Sequence, residues 1–251
     1  MDRRGFLKIA GLSLPALIGT DVCLIEPHRV RVKQFTANAN GKCRFVQFSD
    51  LHYRGDANYA AEMVRTINSL KPDFVCFTGD LIEHSEYLAE ALRVIRGIEV
   101  PVYGSPGNHD YWSGAPFADY GRAFRQTGGD WLVDRSVVLP QHGLEIHGMG
   151  WVGIHAFRPA KAERRILLSH YPAMTDSLGQ KFDLILAGHS HGGQIRLPFY
   201  GPLIIPAGVG RYDLGHFTTP NGPLYVNSGI GTLSTIPLRW NCPPEITLVT
   251  I

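Results

Sequence analysis

Residues able to hold a metal follow five separate apolar runs in this chain, and that recurrence restricts its fold more than any other feature. The runs deliver Asp50 and His52, then Asp80, then Asn108-His109-Asp110, then His170, then His189 and His191. Each run has the length and apolar content of a buried β-strand. Strands ending in polar residues gather them at the carboxyl edge of a sheet, where open α/β folds place their sites. One site built from five strand ends is therefore expected. It needs a sizeable core, and 251 residues with 44% hydrophobic content supply one for a single large domain.

The donors set the chemistry. Calcium and magnesium sites are built almost wholly from oxygen, whereas Mn, Fe and Zn accept imidazole nitrogen together with carboxylate oxygen. Four histidines, two aspartates and one asparagine fit the second group. Two such ions roughly 3.5–4 Å apart need a shared anion to offset their repulsion, and Asp80 is the candidate bridge. Gly79, Gly107 and Gly188 stand beside the donors, where a missing side chain lets the backbone turn tightly.

The order D-x-H, G-D, G-N-H-D, H, G-H-x-H, running from about Arg44 to Ile251, resembles the calcineurin-like metallophosphoesterase superfamily. More narrowly, residues 188–198 and 241–247 are similar to a bacterial branch of twin-arginine-exported or membrane-anchored phosphodiesterases, which includes enzymes cleaving UDP-2,3-diacylglucosamine. The resemblance implies a four-layer α/β sandwich, two mixed β-sheets flanked by helices, with a dinuclear metal site at the strand carboxyl ends. Carried over by residue, Asp50, His52, Asp80 and His191 would hold one ion and Asp80, Asn108, His170 and His189 the other. Metal coordination lowers the pKa of water towards about 7, which makes hydroxide available to attack phosphorus. His109 is read as a catalytic residue facing substrate rather than as a ligand, placed to stabilise the transition state or protonate the leaving oxygen. Asp110 is read as a partner that orients a histidine. Arg54 and Arg196 are candidates for phosphate contact, with a structural role the equal alternative, and Arg239 with Glu245 reads as a structural pair. The segment 151–154 is shorter than in many relatives and lacks their acidic residue. His28, His84, His142, His147, His155 and His216 lie outside the motifs and read as ordinary core or surface residues.

Three segments organise the chain. Residues 1–20 place Arg3-Arg4 ahead of Phe6-Leu7 and an uncharged run from Ile9 to Thr20, the pattern of a twin-arginine signal. Its twelve uncharged residues fall short of the ~20 that span a bilayer as a helix, which favours an export signal over an uncleaved anchor. The expected location is the periplasm, cell envelope or outer membrane face, with the twin-arginine translocation machinery as partner. Residues 21–42 read as a polar connector and 43–251 as the metallophosphoesterase domain. Within it, strands are expected at 43–49, 73–78, 100–105, 166–169 and 182–187, and helices at 57–70, 87–96 and 116–126. Short strands at 132–133, 137–139, 144–147, 224–227 and 246–249 are expected to form a second sheet. Residues 197–206 are apolar but broken by proline and glycine, and read as an irregular loop near the metals.

A net charge of +2 spread along the chain argues against a nucleic-acid partner. The four cysteines lack paired spacing and predict neither a zinc ribbon nor a disulfide scaffold. The full donor set together with His109 favours a phosphodiesterase over a non-catalytic metal-binding adaptor that keeps the fold. The expected substrate is a phosphoester, preferably a diester or pyrophosphate that is lipid-linked at a membrane surface. A UDP-2,3-diacylglucosamine-type pyrophosphatase of lipid A synthesis is the alternative, though its cytoplasm-facing substrate conflicts with export.

Overall fold

Alternation along the strand ahead of Asp50 decides how the sandwich is layered. The structure, a computed structural model, describes residues 19–151 and 157–251. The arginine pair and most of the apolar run before residue 19 lie outside the described residues, as do the shortened turn at 152–154 and His155. In strand β2 (Arg44–Phe48), Val46 and Phe48 pack with helices α1 (Ala57–Ser69), α2 (Leu88–Arg96) and α4 (Phe117–Gln126), whereas Phe45 enters the core between the sheets. Period-two side chains thus divide one strand between two cores.

Six strands build the first sheet. Besides β2, they are β1 (Arg31–Thr36), β3 (Val75–Phe77), β4 (Val102–Gly104), β5 (Asp130–Trp131) and β14 (Glu245–Thr250), in the order β1-β14-β2-β3-β4-β5. The short helix α3 (Asn108–Trp112) follows β4 directly. A second sheet has the order β12-β13-β9-β8-β7-β6, from β6 (Arg135–Leu139), β7 (Leu144–Gly148), β8 (Arg164–Leu168), β9 (Leu184–Ala187), β12 (Gly215–Thr219) and β13 (Gly222–Val226). Both sheets mix parallel and antiparallel pairs. Leu144, Ile146, Ile166, Leu168, Leu184 and Leu186 close the inter-sheet core against Phe45, Cys76 and Val249. The expected fold of two mixed sheets flanked by helices is present.

Several assignments are corrected. The connector 21–42 contains β1, an edge strand parallel to β14, and its side chains alternate between exposed and half-buried. An edge strand lined by polar residues carries no apolar run to mark it. Residues 246–249 belong to the first sheet, because β14 runs antiparallel to β2 with Thr247 opposite Gln47. The strand expected at 132–133 lies at Asp130–Trp131 and joins β4 at the edge of that same sheet. Within 197–206 a small antiparallel hairpin forms between β10 (Arg196–Leu197) and β11 (Gly201–Pro202). Arg239 and Glu245 do not pair. Fully buried Arg239 instead donates to the carbonyls of Ser228, Gly231 and Cys242, while Glu245 meets Lys33, Tyr225 and Thr247.

Glu26 ties the N-terminal segment to this frame. Its buried carboxylate accepts from the backbone amides of Asn241 (2.9 Å) and Cys242 (2.6 Å), and Arg239 N donates to Val22 O. Residues from about 22 onward are therefore part of the folded domain. Replacing Glu26 by Ala leaves the buried amide of Cys242 and the partly buried one of Asn241 without a charged acceptor, so the expected loss is about 1–3 kcal/mol of unfolding free energy, measured by urea titration. A loss within ordinary error would show that the segment is merely draped on the surface.

Candidate metal centre

Five of the predicted ligands sit in left-handed backbone conformation: Asp50, His52, Asp80, His189 and His191 have φ between 43° and 65°. Non-glycine residues adopt this region rarely, with Asp, Asn and His over-represented, and sparsely populated conformations cost on the order of 1–3 kcal/mol each. Cross-strand bonds hold them there. Asp50 N donates to Gly79 O, His52 N to Asp80 O, and His189 N to the Asp50 carboxylate. Asp110 accepts from the amides of Asp80 (2.8 Å), Leu81 (2.9 Å) and Gly107 (2.9 Å) and from the Tyr120 hydroxyl. It therefore orients the turn that carries Asp80, not a histidine as expected from sequence. A Cβ at Gly107 would overlap Asp80 Oδ1, and one at Gly188 would overlap Ser49 Oγ and Asp50 Oδ2. Only glycine allows these backbones to approach the carboxylates.

The side chains converge on Asp80. Its Oδ2 lies 3.5 Å from His52 Nε2 and 3.2 Å from His170 Nε2, so one oxygen faces both halves of the cluster. On one side Asp50, His52 and His191 bring ligand atoms within 4.8 Å of one another, and on the other Asp80, His170 and His189 do the same. His191 Nε2 is 3.4 Å from Asp50 Oδ1. The structure brings together the aspartates and histidines of the two sets expected from the motifs, while Asn108 stands in neither group.

The donor set fits cations. His170 Nδ1 bonds to Thr78 O and His189 Nε2 to Ala207 O, both at 2.7 Å, so each outer nitrogen must carry the hydrogen. The inner nitrogens, His170 Nε2 and His189 Nδ1, then face each other at 3.2 Å, and a neutral pair would meet lone pair to lone pair. A proton or a metal ion between them relieves that meeting. Asn108 Oδ1 and His52 Nε2 are likewise buried without a hydrogen-bond partner among the described residues. In the absence of metal the same field acts on protons. Burial works against a charged His170, yet Asp80 lifts its imidazole up to about 9, while burial and then His170 push His189 down to about 4. Burial would raise Asp80, but His170 and then His52 hold its carboxyl well below the usual range.

His109 is half-buried, its ring edge-on to His52 at 4.8 Å and to Trp112 at 4.9 Å, and its backbone N donates to Asp80 Oδ1. It also shares a 4.8 Å cluster with His52 and Asp80, although both halves of the centre close without it. Arg54 donates to Thr232 O and Oγ1, and Arg196 to Gly192 O and Asp213, so both guanidinium groups are committed to holding loops. Sequence reasoning missed Glu83, whose Oε1 lies 3.2 Å from His52 Nδ1 and accepts from Ser234 N. His52 draws its carboxyl down to about 2 against the effect of burial. An acid three residues after Asp80 was the available signal.

With sheets and donors in this arrangement, similarity to known proteins can be weighed. Residues 43–193 match the profile of the calcineurin-like phosphoesterases. The chain belongs to that family. It is 30% identical to the uncharacterized metallophosphoesterase YkuE of Bacillus subtilis, over 100% of this chain and 98% of that protein. The phosphodiesterase YaeI of Escherichia coli is 28% identical, covering 99% and 98% respectively. The UDP-2,3-diacylglucosamine pyrophosphatase LpxG of Chlamydia trachomatis is 28% identical over 95% of this chain and 94% of its own. This calcineurin-like phosphoesterase is accordingly a phosphoester hydrolase that uses divalent metal.

Glu83 supports His52 from outside the cluster, and loss of such partners typically weakens metal binding about 10–100-fold. Glu83→Gln should show that drop in competition with a chromophoric chelator, with an unchanged circular dichroism spectrum. Native affinity in the variant would remove Glu83 from the site.

Proposed function

We propose that this enzyme is a phosphodiesterase with two metal ions, Mn, Fe or Zn, held on either side of Asp80. The observation that carries the diester over the monoester is a pair of cavities. One of about 330 Å³ reaches His52, lined by Leu51, Arg54, Tyr59 and Thr232, and one of about 340 Å³ reaches His170. These are the two histidines that flank Asp80 Oδ2. A diester has two substituents to place, one for each cavity, whereas a monoester has one.

Asp50, His52, Asp80 and His191 are the ligands of one ion and Asp80, Asn108, His170 and His189 those of the other. Divalent cations bound there acidify water and neutralise charge on the phosphoryl oxygens. Asn108 contributes a neutral oxygen, which leaves the centre attractive to an anionic phosphate. His109 stands at the same cluster with an N–H available in either charge state, and it serves the ester oxygen that departs. General acid catalysis of this kind gives about 10²–10⁴-fold.

Metal-stripped protein titrated with Mn²⁺, Zn²⁺, Fe²⁺ or Mg²⁺ should regain hydrolysis of bis(p-nitrophenyl) phosphate in preference to p-nitrophenyl phosphate. His109→Ala should keep its metal by elemental analysis while losing about 10²–10⁴-fold in kcat, whereas Asp80→Asn should lose metal as well. Cleavage of the monoester alone would overturn the diester assignment, and metal loss in His109→Ala would make that residue a ligand.

We further propose export by the twin-arginine route and action on a lipid-linked diester or pyrophosphate at a membrane surface. The support is the arginine pair before the uncharged run together with the hairpin that bears Phe199 and Tyr200 and the Ile204 that follows it, all strongly exposed. Its base bonds to the 240–241 segment that Glu26 holds, so the N-terminal segment and the hairpin lie on neighbouring parts of the surface. A UDP-linked diacyl sugar, the substrate class in the name of LpxG, is the second reading that the apolar hairpin favours. Protein lacking residues 1–18 should co-sediment with phospholipid vesicles, and Phe199→Ser with Ile204→Ser should abolish it. Absence of sedimentation by the unsubstituted protein would dispose of the surface contact.

A further inference from the structure

The two cavities differ in chemistry. Arg54, Asp56 and His28 line the one beside His52, so it presents charge and hydrogen-bonding groups. The cavity beside His170 is walled by Pro106, Met149, Trp151, Tyr171, Ala173 and Met174. The Ala207 carbonyl at its edge is already bonded to His189 Nε2. Two of its walls are aromatic faces set nearly parallel: Trp151 and Tyr171 are inclined by 20° with centroids 6.4 Å apart. Tyr171 also lies 4.2 Å from the ring of His189, so this aromatic wall continues into the metal centre.

We propose that this cavity is a subsite for an aromatic ring carried on an ester oxygen of the phosphorus, which makes the substrate an aryl-bearing phosphodiester. The inference rests on the diesterase reading for the reaction, but the subsite itself follows from the walls. Tryptophan and tyrosine faces stack on rings, and methionine thioethers make favourable contacts at ring edges. Size agrees, since an apolar cavity of roughly 150 Å³ already admits benzene and this one measures about 340 Å³. A charged or hydroxyl-rich group would find few partners among the described residues of these walls. Trp151 and Tyr171 thus act as specificity determinants, and Ala173 lines the same cavity with a small side chain.

The test is calorimetric titration of the Mn²⁺-loaded full chain with phenylphosphonate and methylphosphonate, which differ only in the ring. The phenyl compound should bind roughly tenfold to a hundredfold more tightly, the range expected when a ring-sized apolar group is buried. Ala173→Phe fills the cavity and should bring the affinity ratio close to one. Trp151→Ala removes a wall and should lower the ratio severalfold, so the test stands if either variant fails to fold. Equal affinities in the native protein, or a ratio that neither variant moves, would overturn the proposal. Phosphonates are not turned over, so the result is independent of diester cleavage. A protein that prefers phenyl yet cleaves no diester upholds the subsite and sinks the diesterase, and an active diesterase with no phenyl preference does the reverse.

Discussion

A carboxylate shared between two halves of a buried histidine cluster is the constraint on which this structure depends. Asp80 is 1% exposed, and one of its oxygens faces His52 and His170 within 3.5 Å. A buried anion of this kind is costly unless paired, and a pair of adjacent cations is equally costly without an anion between them. Each therefore needs the other. The backbone serves that arrangement: Asp110 grips three amides around the Asp80 turn, Gly107 leaves room beside the carboxylate, and five ligand residues are held in left-handed conformation.

Neither sheet makes the centre alone. The first contributes Asp50, His52, Asp80 and Asn108 after β2, β3 and β4, and the second contributes His170, His189 and His191 after β8 and β9. Leucine and isoleucine side chains between the sheets set how far apart these strand ends stand. Closing the sandwich and forming the ligand set are thus one event, and metal binding adds to folding free energy in such a case. Gln47 links the two sheets in this core, donating to Thr78 Oγ1 on one and Ala187 O on the other.

Much of this was legible in the sequence because the cost of a metal site concentrates in short motifs. Donors, neighbouring glycines and the preceding apolar runs lie within a few residues of one another, so Asp50, His52, Asp80, His170, His189 and His191, which the structure brings together, could be picked out without coordinates. What escaped depends on long-range pairing. The strand 31–36 has no apolar run because it lies at an edge, and residues 245–250 join the first sheet by pairing with β2 some two hundred positions earlier. Glu83 reaches His52 across a turn, Asp110 bonds to backbone rather than to a ring, and Arg239 answers carbonyls that no side-chain pattern announces. The apolar stretch 197–206 showed its proline and glycine breaks, but not that a hairpin of two-residue strands would lift Phe199 clear of the surface.

The most direct test of the shared carboxylate is anomalous diffraction at the manganese edge from crystals grown in Mn²⁺. The account predicts two peaks, both about 2.0–2.2 Å from Asp80 oxygens, the usual metal–carboxylate distance, with Asp50, His52 and His191 around one and Asn108, His170 and His189 around the other. A single peak, or two of which only one touches Asp80, would contradict it.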